Sequence, residues 1–382
     1  MKIAYSIGSI YKTGGTERVL CTKANYLADH LGYEVHIIVL NNNTPPFFPF
    51  SAQIHIHSLG IEQLNHKHWM IFGSRSKKEY KEKLFRKLEE IRPDITLSLF
   101  GPDAEFLYRA KDGSRKVLEF HFTKNYLKYL GEKNAMPGDK FRLLRKLWLS
   151  FLIRRQAHYA SNYKNIVLLT ERDKKLWGGG SKFRIIPNPL SFVSKKGYAL
   201  KSKQVIAIGS YIPQKGFDLL IDSFARIAAE FPDWELYIYG KGQDKDFLAG
   251  KINDLCLQNQ IFLKDPAKNI GEKLQDSAIF ALSSRYEGFG LVLTEAMECG
   301  LPCVAFDCEC GPDEIITPGR TGTLVPQQNT VLFAEALKEL MKDEDKRKQM
   351  GYKAKEEVKR FYPENIMPLW IKLFEEIILN ED

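Results

Sequence analysis

Three observations predict two α/β domains, each built on a doubly wound parallel sheet. The chain has 382 residues, beyond the ~250–300 at which single hydrophobic cores stop growing. Short runs rich in Val, Ile, Tyr and Phe alternate with amphipathic stretches along almost all of it, the pattern of βαβ units. Near the middle that alternation is broken by "RIIPNPLSFVSKKG", where Pro187 and Pro189 forbid a continuous helix and favour an extended turn.

Taken in order, the first series of expected strands is "KIAYSIG", "EVHIIVL", "QIHIHSL", "DITLSLF", "KVLEF" and "NIVLLT". After the break come "QVIAIG", "WELYIYG", "IFLKD", "AIFALSS", "PCVAF" and "GTLVP", with helical patterns at Lys215–Glu230, Leu291–Cys299 and Val331–Lys342. The closing "PENIMPLWIKLFEEIIL" reads as an amphipathic helix able to lie on either domain. The expected division is therefore 1–188, 189–363 and a terminal helix at 364–382.

Composition narrows the function classes. With 44% apolar and 12% aromatic residues both domains can bury a core, and no apolar run approaches the ~18 residues of a membrane span. The opening "MKIAYSIGSI" lacks the apolar core and cleavage site of a secretory signal, so a cytoplasmic protein is expected. Six cysteines, two of them close together as Cys308 and Cys310, suggest neither a disulfide framework nor a zinc site, and that pair reads as shielded free thiols. The net charge of +9 hides a split. Residues 1–190 hold 32 Lys+Arg against 17 Asp+Glu, and the rest 24 against 30. A basic first half suits nucleic acid, an anionic membrane surface or a phosphorylated substrate. Nucleic acid is disfavoured because no helix-turn-helix, RNP or zinc-finger pattern accompanies the charge.

In open α/β sheets ligands bind beyond the carboxyl ends of the strands, so the loops there hold the candidates. The first strand runs into "GSIYKTGGTERVL", where Gly14 and Gly15 let backbone approach a ligand at the start of a helix. Glycines at 8, 14 and 15 do not match the dinucleotide spacing G-x-G-x-x-G. In "VIAIGSYIPQKGFDLLIDSF", Lys215 stands before a helix start, an arrangement suited to a phosphate dianion. Such a helix end offers ~0.3–1 kcal/mol and a charge-assisted hydrogen bond ~1.5–3. In "SRYEGFGLVLTEAMECG", Glu287 sits on the loop and Glu295 inside the following helix, with the amides of Gly288, Phe289, Gly290 and Leu291 between them. Acid, amides, acid matches sugar, diphosphate, ribose. The sequence "DKD" at Asp244–Asp246 opens a helical pattern, where acids suit the cap and dipole better than a metal.

The stretch "SRYEGFGLVLTEAMECGLPCVAFDCECGPDEII" resembles the E-x7-E region of glycosyltransferase family 4, retaining enzymes of the two-domain GT-B fold. The likeness extends to "TGGTERVL", "IIPNPL", "QKGFDLLIDSF", "LYIYGKG" and "GTLVP", and is greatest to bacterial enzymes that build capsular, O-antigen or lipid-linked glycans from UDP-sugars. It implies two Rossmann-like domains facing each other across a cleft, the first on the acceptor side and the second binding the nucleotide sugar. It further implies that Glu287 contacts the donor sugar, Glu295 the ribose and Lys215 the diphosphate. Gly14 and Gly15 fall on the first-domain loop near the diphosphate, and His121 where the family often has a histidine near the transferred sugar. The family usually pairs its lysine with an arginine five residues earlier. Here that residue is Ser210, with Arg18 or Arg172 as possible substitutes.

The expected activity is transfer of a hexose or N-acetylhexosamine from a UDP-sugar to a hydroxyl of a lipid-linked glycan in surface polysaccharide biosynthesis, with no cofactor and no metal. The stretch 139–164, "DKFRLLRKLWLSFLIRRQAHYASNYK", carries seven Lys+Arg against one acid around an apolar run. It is expected to rest peripherally on the inner, anionic face of the cell membrane through Trp148 and Phe151. Rival readings are a nucleotide-sugar 2-epimerase of the same architecture and a non-catalytic subunit of a glycan-assembly complex.

Overall fold

A computed structural model of the chain describes residues 1–12, 14–41, 43–61, 75–133, 142–194, 202–267 and 269–379. Two compact units are present: Met1–Ser191 together with Pro363–Asp382, and Phe192–Tyr362.

The first unit is a seven-stranded parallel sheet. Its strands are β1 (Lys2–Ile7), β2 (Glu34–Val39), β3 (His55–Ser58), β4 (Ile95–Ser98), β5 (Arg115–Glu119), β6 (Asn165–Leu168) and β7 (Phe183–Ile185), in the order β3-β2-β1-β4-β5-β6-β7. Five of the six residues of β1 and of β2 are buried, as a sheet covered on both faces requires. Strand β7 lies in "KFRIIP", which the sequence presents as the approach to the proline break; three residues are too few to show a period. Around the sheet lie α1 (Gly15–Leu31), α2 (Arg75–Ile91), α3 (Tyr126–Lys133), α4 (Arg142–Ser161) and α5 (Glu171–Leu176). Helix α1 stops where Gly32, at φ 63°, returns its N–H to the carbonyl of Ala28.

The second unit is a six-stranded parallel sheet ordered β10-β9-β8-β11-β12-β13. Its strands are β8 (Gln204–Ile208), β9 (Glu235–Tyr239), β10 (Ile261–Lys264), β11 (Ile279–Leu282), β12 (Cys303–Asp307) and β13 (Gly322–Pro326). The helices are α6 (Phe217–Ala225), α7 (Lys245–Asp254), α8 (Ile270–Gln275), α9 (Leu291–Glu298), α10 (Pro312–Ile315), α11 (Thr330–Lys342) and α12 (Glu344–Glu357). Asn329 and Asp343 cap α11 and α12 through their side chains. The core joins Phe224, Trp234, Phe306, Phe333 and Leu337 across sheet and helices. Relabelled from its own first strand, this order is that of the first six strands of the other unit, so each sheet reverses direction between its first and fourth strands.

The last helix, α13 (Pro363–Leu379), belongs with the first unit. The sequence leaves its partner open, and burial decides it. Met367, Trp370, Leu373, Phe374 and Ile377 face inward, and α13 packs on α1. Pro368 sits within the helix, where it removes one backbone bond.

Candidate functional site

The second unit brings most of the expected residues to the reversal point of its sheet, beyond β8 and β11. Strand β8 runs out into Gly209, and the stem of Lys215 lies along that glycine, where a Cβ would stand 3.1 Å from it. A tight turn, Pro213–Lys215, precedes α6. Gly216 joins them at φ 60°, and a Cβ there would stand 2.1 Å from the carbonyl oxygen of Ser283, so only glycine fits. Just beyond β11 the Ser283 hydroxyl donates to the carbonyl of Lys215 at 2.8 Å.

These loops place Lys215 Nζ 2.7 Å from Glu287 Oε1, the same oxygen that accepts the Ser284 hydroxyl at 2.6 Å. The pair is part-open, with 19% of the lysine side chain and 8% of the glutamate exposed. The next residue but one N-terminal to Glu287, Arg285, clamps Asp218 with two bonds of 2.8 and 2.7 Å and also donates to the carbonyl of Pro213. This staple fixes one loop on the other. Sequence reading overlooks it because Arg285 and Asp218 are 67 residues apart.

Helix α9 is preceded by Gly290, φ 97°, with no side-chain cap, so its first-turn amides meet no competing side chain. Phe289, 3% exposed, anchors this start edge-on to Phe361 at 5.5 Å. Gly311 lets β12's loop pass so close that a Cβ would lie 1.9 Å from the carbonyl oxygen of Phe289. Glu295 lies one turn into α9 and is buried. Glu298, unnoticed in the sequence, is fully buried and accepts from the Ser194 amide at 2.9 Å and the Tyr362 hydroxyl at 2.8 Å, joining the two ends of the unit. Ser210 is exposed. Asp244 stands at the cap position of α7 but its side chain makes no capping bond, and Cys308 and Cys310 are buried. Among the described residues no group of three or more His, Cys, Asp or Glu side chains is disposed to hold a metal ion.

The remaining candidates lie in the first unit. Gly14 is the cap residue of α1, and the Glu17 carboxylate folds over it, 2.2 Å from where a Cβ would be. The helix start expected to face a ligand thus carries its own acid, whose pKa burial raises against the pull of its own amide. His121 follows β5 with its side chain 5% exposed, and its Nε2 lies 3.3 Å from Glu119 Oε1 without the geometry of a hydrogen bond. Burial holds its pKa down at about 4, against the pull of Glu119, so the ring is neutral at pH 7.

Glu119 is engaged elsewhere. Lys23 Nζ sits 2.6 Å from both of its oxygens, each side chain 1% exposed, and 4.1 Å from the centre of the Trp370 ring. Burial lowers the lysine's pKa while Glu119 opposes that. The sequence signal was Lys23 standing among Val19, Leu20, Ala24 and Leu27, on the buried stripe of α1. Its partner, 96 residues on, carries no such mark.

Comparison with known proteins follows this division. Residues 192–357 match the family described as glycosyl transferases group 1. The chain is 28% identical over 380 residues to an uncharacterized glycosyltransferase of Haemophilus influenzae, covering 97% of this chain and 98% of that one. It is 27% identical over 367 residues to the N-acetylgalactosamine-N,N'-diacetylbacillosaminyl-diphospho-undecaprenol 4-alpha-N-acetylgalactosaminyltransferase of Campylobacter jejuni, covering 94% of each. Among solved structures, a mutant of Staphylococcus aureus TarM in complex with UDP has a TM-score of 0.78 at 16% identity, covering 98% of this chain and 99% of that one. At that identity the likeness is one of fold.

Proposed function

We propose, from the match of residues 192–357 to glycosyl transferases group 1 and the likeness of the whole chain to glycosyltransferases, that it moves a hexose or N-acetylhexosamine from a UDP-sugar to a hydroxyl of a lipid-linked glycan, with retention of configuration, in surface polysaccharide biosynthesis. The observation that carries the reading is the Lys215–Glu287 contact of 2.7 Å at the sheet's reversal point, beside the uncapped start of α9. When the bond between sugar and diphosphate breaks, negative charge collects on the leaving phosphate. An ammonium held extended by Glu287 and a helix start are oriented donors for that charge. Glu287, already accepting from Lys215 and Ser284, has a second oxygen to accept a sugar hydroxyl, and Glu295 is assigned to the ribose. On this reading no divalent ion is required, because the lysine and the amides neutralise the diphosphate.

The lipid-linked acceptor is supported by the undecaprenol-linked substrate in the name of the Campylobacter relative. Support also comes from α4. Leu143, Leu144, Leu147, Trp148, Phe151 and Ile153 are 37–69% exposed on it, beside Lys146 and Arg154. Residues 139–141 of the expected membrane-facing stretch lie outside the described residues. No described helix is long and apolar enough to cross a membrane, and contact with an anionic surface is the role we assign to this patch.

The test is transfer and hydrolysis across a panel of nucleotide sugars with the parent, Lys215→Ala and Glu295→Ala. Each substitution is expected to lower turnover by about 10²–10³ with an unchanged circular dichroism spectrum. Near-parental turnover in both contradicts the assignment, and isomerisation of the nucleotide sugar without any acceptor identifies an epimerase instead.

A further inference from the structure

We infer that Arg285, clamped on Asp218, is a positioning residue of the candidate site: it sets the turn that carries Lys215 against the loop that carries Glu287, and acts on the donor only through them. The inference rests on the donor-site reading above and adds to it a residue that works from behind the site.

Lys215 and Glu287 are 72 residues apart in the chain, so their 2.7 Å contact exists only where two separate segments are held together. The turn Pro213–Lys215 is bonded to residues 283–286 at each of its positions. Arg285 donates through Nη1 to the carbonyl of Pro213 at 2.7 Å and through its backbone N–H to that of Gln214 at 2.7 Å. The Gln214 side chain donates to the carbonyl of Tyr286 at 3.1 Å, and the Ser283 hydroxyl to that of Lys215 at 2.8 Å. Beyond the turn the guanidinium forks onto both oxygens of Asp218, in the first turn of α6, at 2.8 and 2.7 Å. A charge-assisted fork fixes direction as well as distance, which a single bond does not.

The clamp stays ionised and stands apart from the pair it serves. Burial pushes the Asp218 carboxyl up, and the bonds from Arg285 more than reverse this, so it remains below its ordinary pKa and charged at pH 7. From the loop after β13, Gln327 donates to the Arg285 carbonyl at 2.6 Å, so the arginine's backbone is held as well. Asp218 and Arg285 line a cavity of about 80 Å³ with Pro213, Phe217, Asp244 and Phe247, and neither Lys215 nor Glu287 is part of its wall. A Cβ on Gly216 would stand 3.6 Å from Nη1 of Arg285, so the clamp abuts the residue that directly follows Lys215. Misplacing a reacting group by about 1 Å costs up to ~10²-fold, and the fork is the part of this stitching that resists such a slide.

The experiment is calorimetric titration of the full chain with UDP and, separately, with uridine. Asp218→Asn keeps the shape of the side chain and releases one arm of the fork; it should weaken UDP about tenfold and leave uridine unchanged. Asp218→Glu, which restores a carboxylate to the guanidinium, should regain most of that affinity. The sign is diagnostic, because removing a carboxylate that acted through its charge alone would tighten an anion. In a Lys215→Ala chain, itself weakened for UDP, adding Asp218→Asn should cost less than about twofold more, since the clamp then has no lysine to place. UDP binding by Asp218→Asn as tight as the parent's or tighter overturns the inference, as does an undiminished tenfold loss in the Lys215→Ala chain or an equal loss for uridine. A parent chain that does not bind UDP, or a Lys215→Ala chain that binds it as the parent does, overturns the donor-site reading and the inference with it, a result distinct from those.

Discussion

Two buried or half-buried ion pairs, one in each unit, can be set side by side. In the second unit Lys215 meets Glu287 at 2.7 Å with 19% and 8% of the side chains exposed, on loops closed by glycines at 216, 290 and 311. In the first, Lys23 meets Glu119 at 2.6 Å with 1% of each exposed, roofed by Trp370 of the returning helix. The topology around them is the same, yet one pair is open enough to exchange a partner for a ligand and the other is sealed. A charge that water still reaches costs little to keep and can be redirected. A charge sealed under an indole holds α1, β5 and α13 together and is available for nothing else. Its neighbour His121 is kept neutral by the same burial.

The largest effect that would separate the two pairs is on stability. Lys23→Met strands the Glu119 carboxylate in the core and should lower unfolding free energy by about 3–5 kcal/mol, whereas Lys23→Met with Glu119→Gln recovers much of it. Lys215→Met should cost less, about 1–3 kcal/mol, since Glu287 keeps its bond from Ser284. Denaturant unfolding of the three variants gives the comparison, and equal losses at positions 23 and 215 would dissolve it. A smaller effect distinguishes the surfaces of the units. Trp148→Glu with Leu147→Glu on α4 should reduce co-flotation with vesicles rich in anionic lipid by roughly tenfold, with no loss of folding. Undiminished flotation of that variant would remove the role given to α4.

Sequence patterning revealed the architecture wherever burial was two-sided and runs were long enough. All twelve expected strands are present, from "KIAYSIG" to "GTLVP", and the fold class follows from their alternation with helices. The three-residue β7 carried no period to read. The partner of α13 was also illegible, because an amphipathic stripe shows that a face is buried without showing against what. At the candidate site, Lys215, Glu287 and the glycines could be named from their place after strands and before helices. Arg285–Asp218, Lys23–Glu119 and the double engagement of Glu298 could not, since each is a tertiary pairing across 64 or more residues. The glycine at 216 shows the limit well. Its sequence context suggests a helix start, and only the structure reveals the Ser283 carbonyl that excludes a side chain there.

The central claim is that the second unit grips a diphosphate at the reversal point of its sheet. A crystal structure of the chain with uridine diphosphate tests it directly. The account predicts phosphate oxygens within hydrogen-bond distance of Lys215 Nζ and of the first amides of α9, with the ribose hydroxyls on Glu295. Nucleotide bound elsewhere, or held through a cation at Asp244, would contradict it.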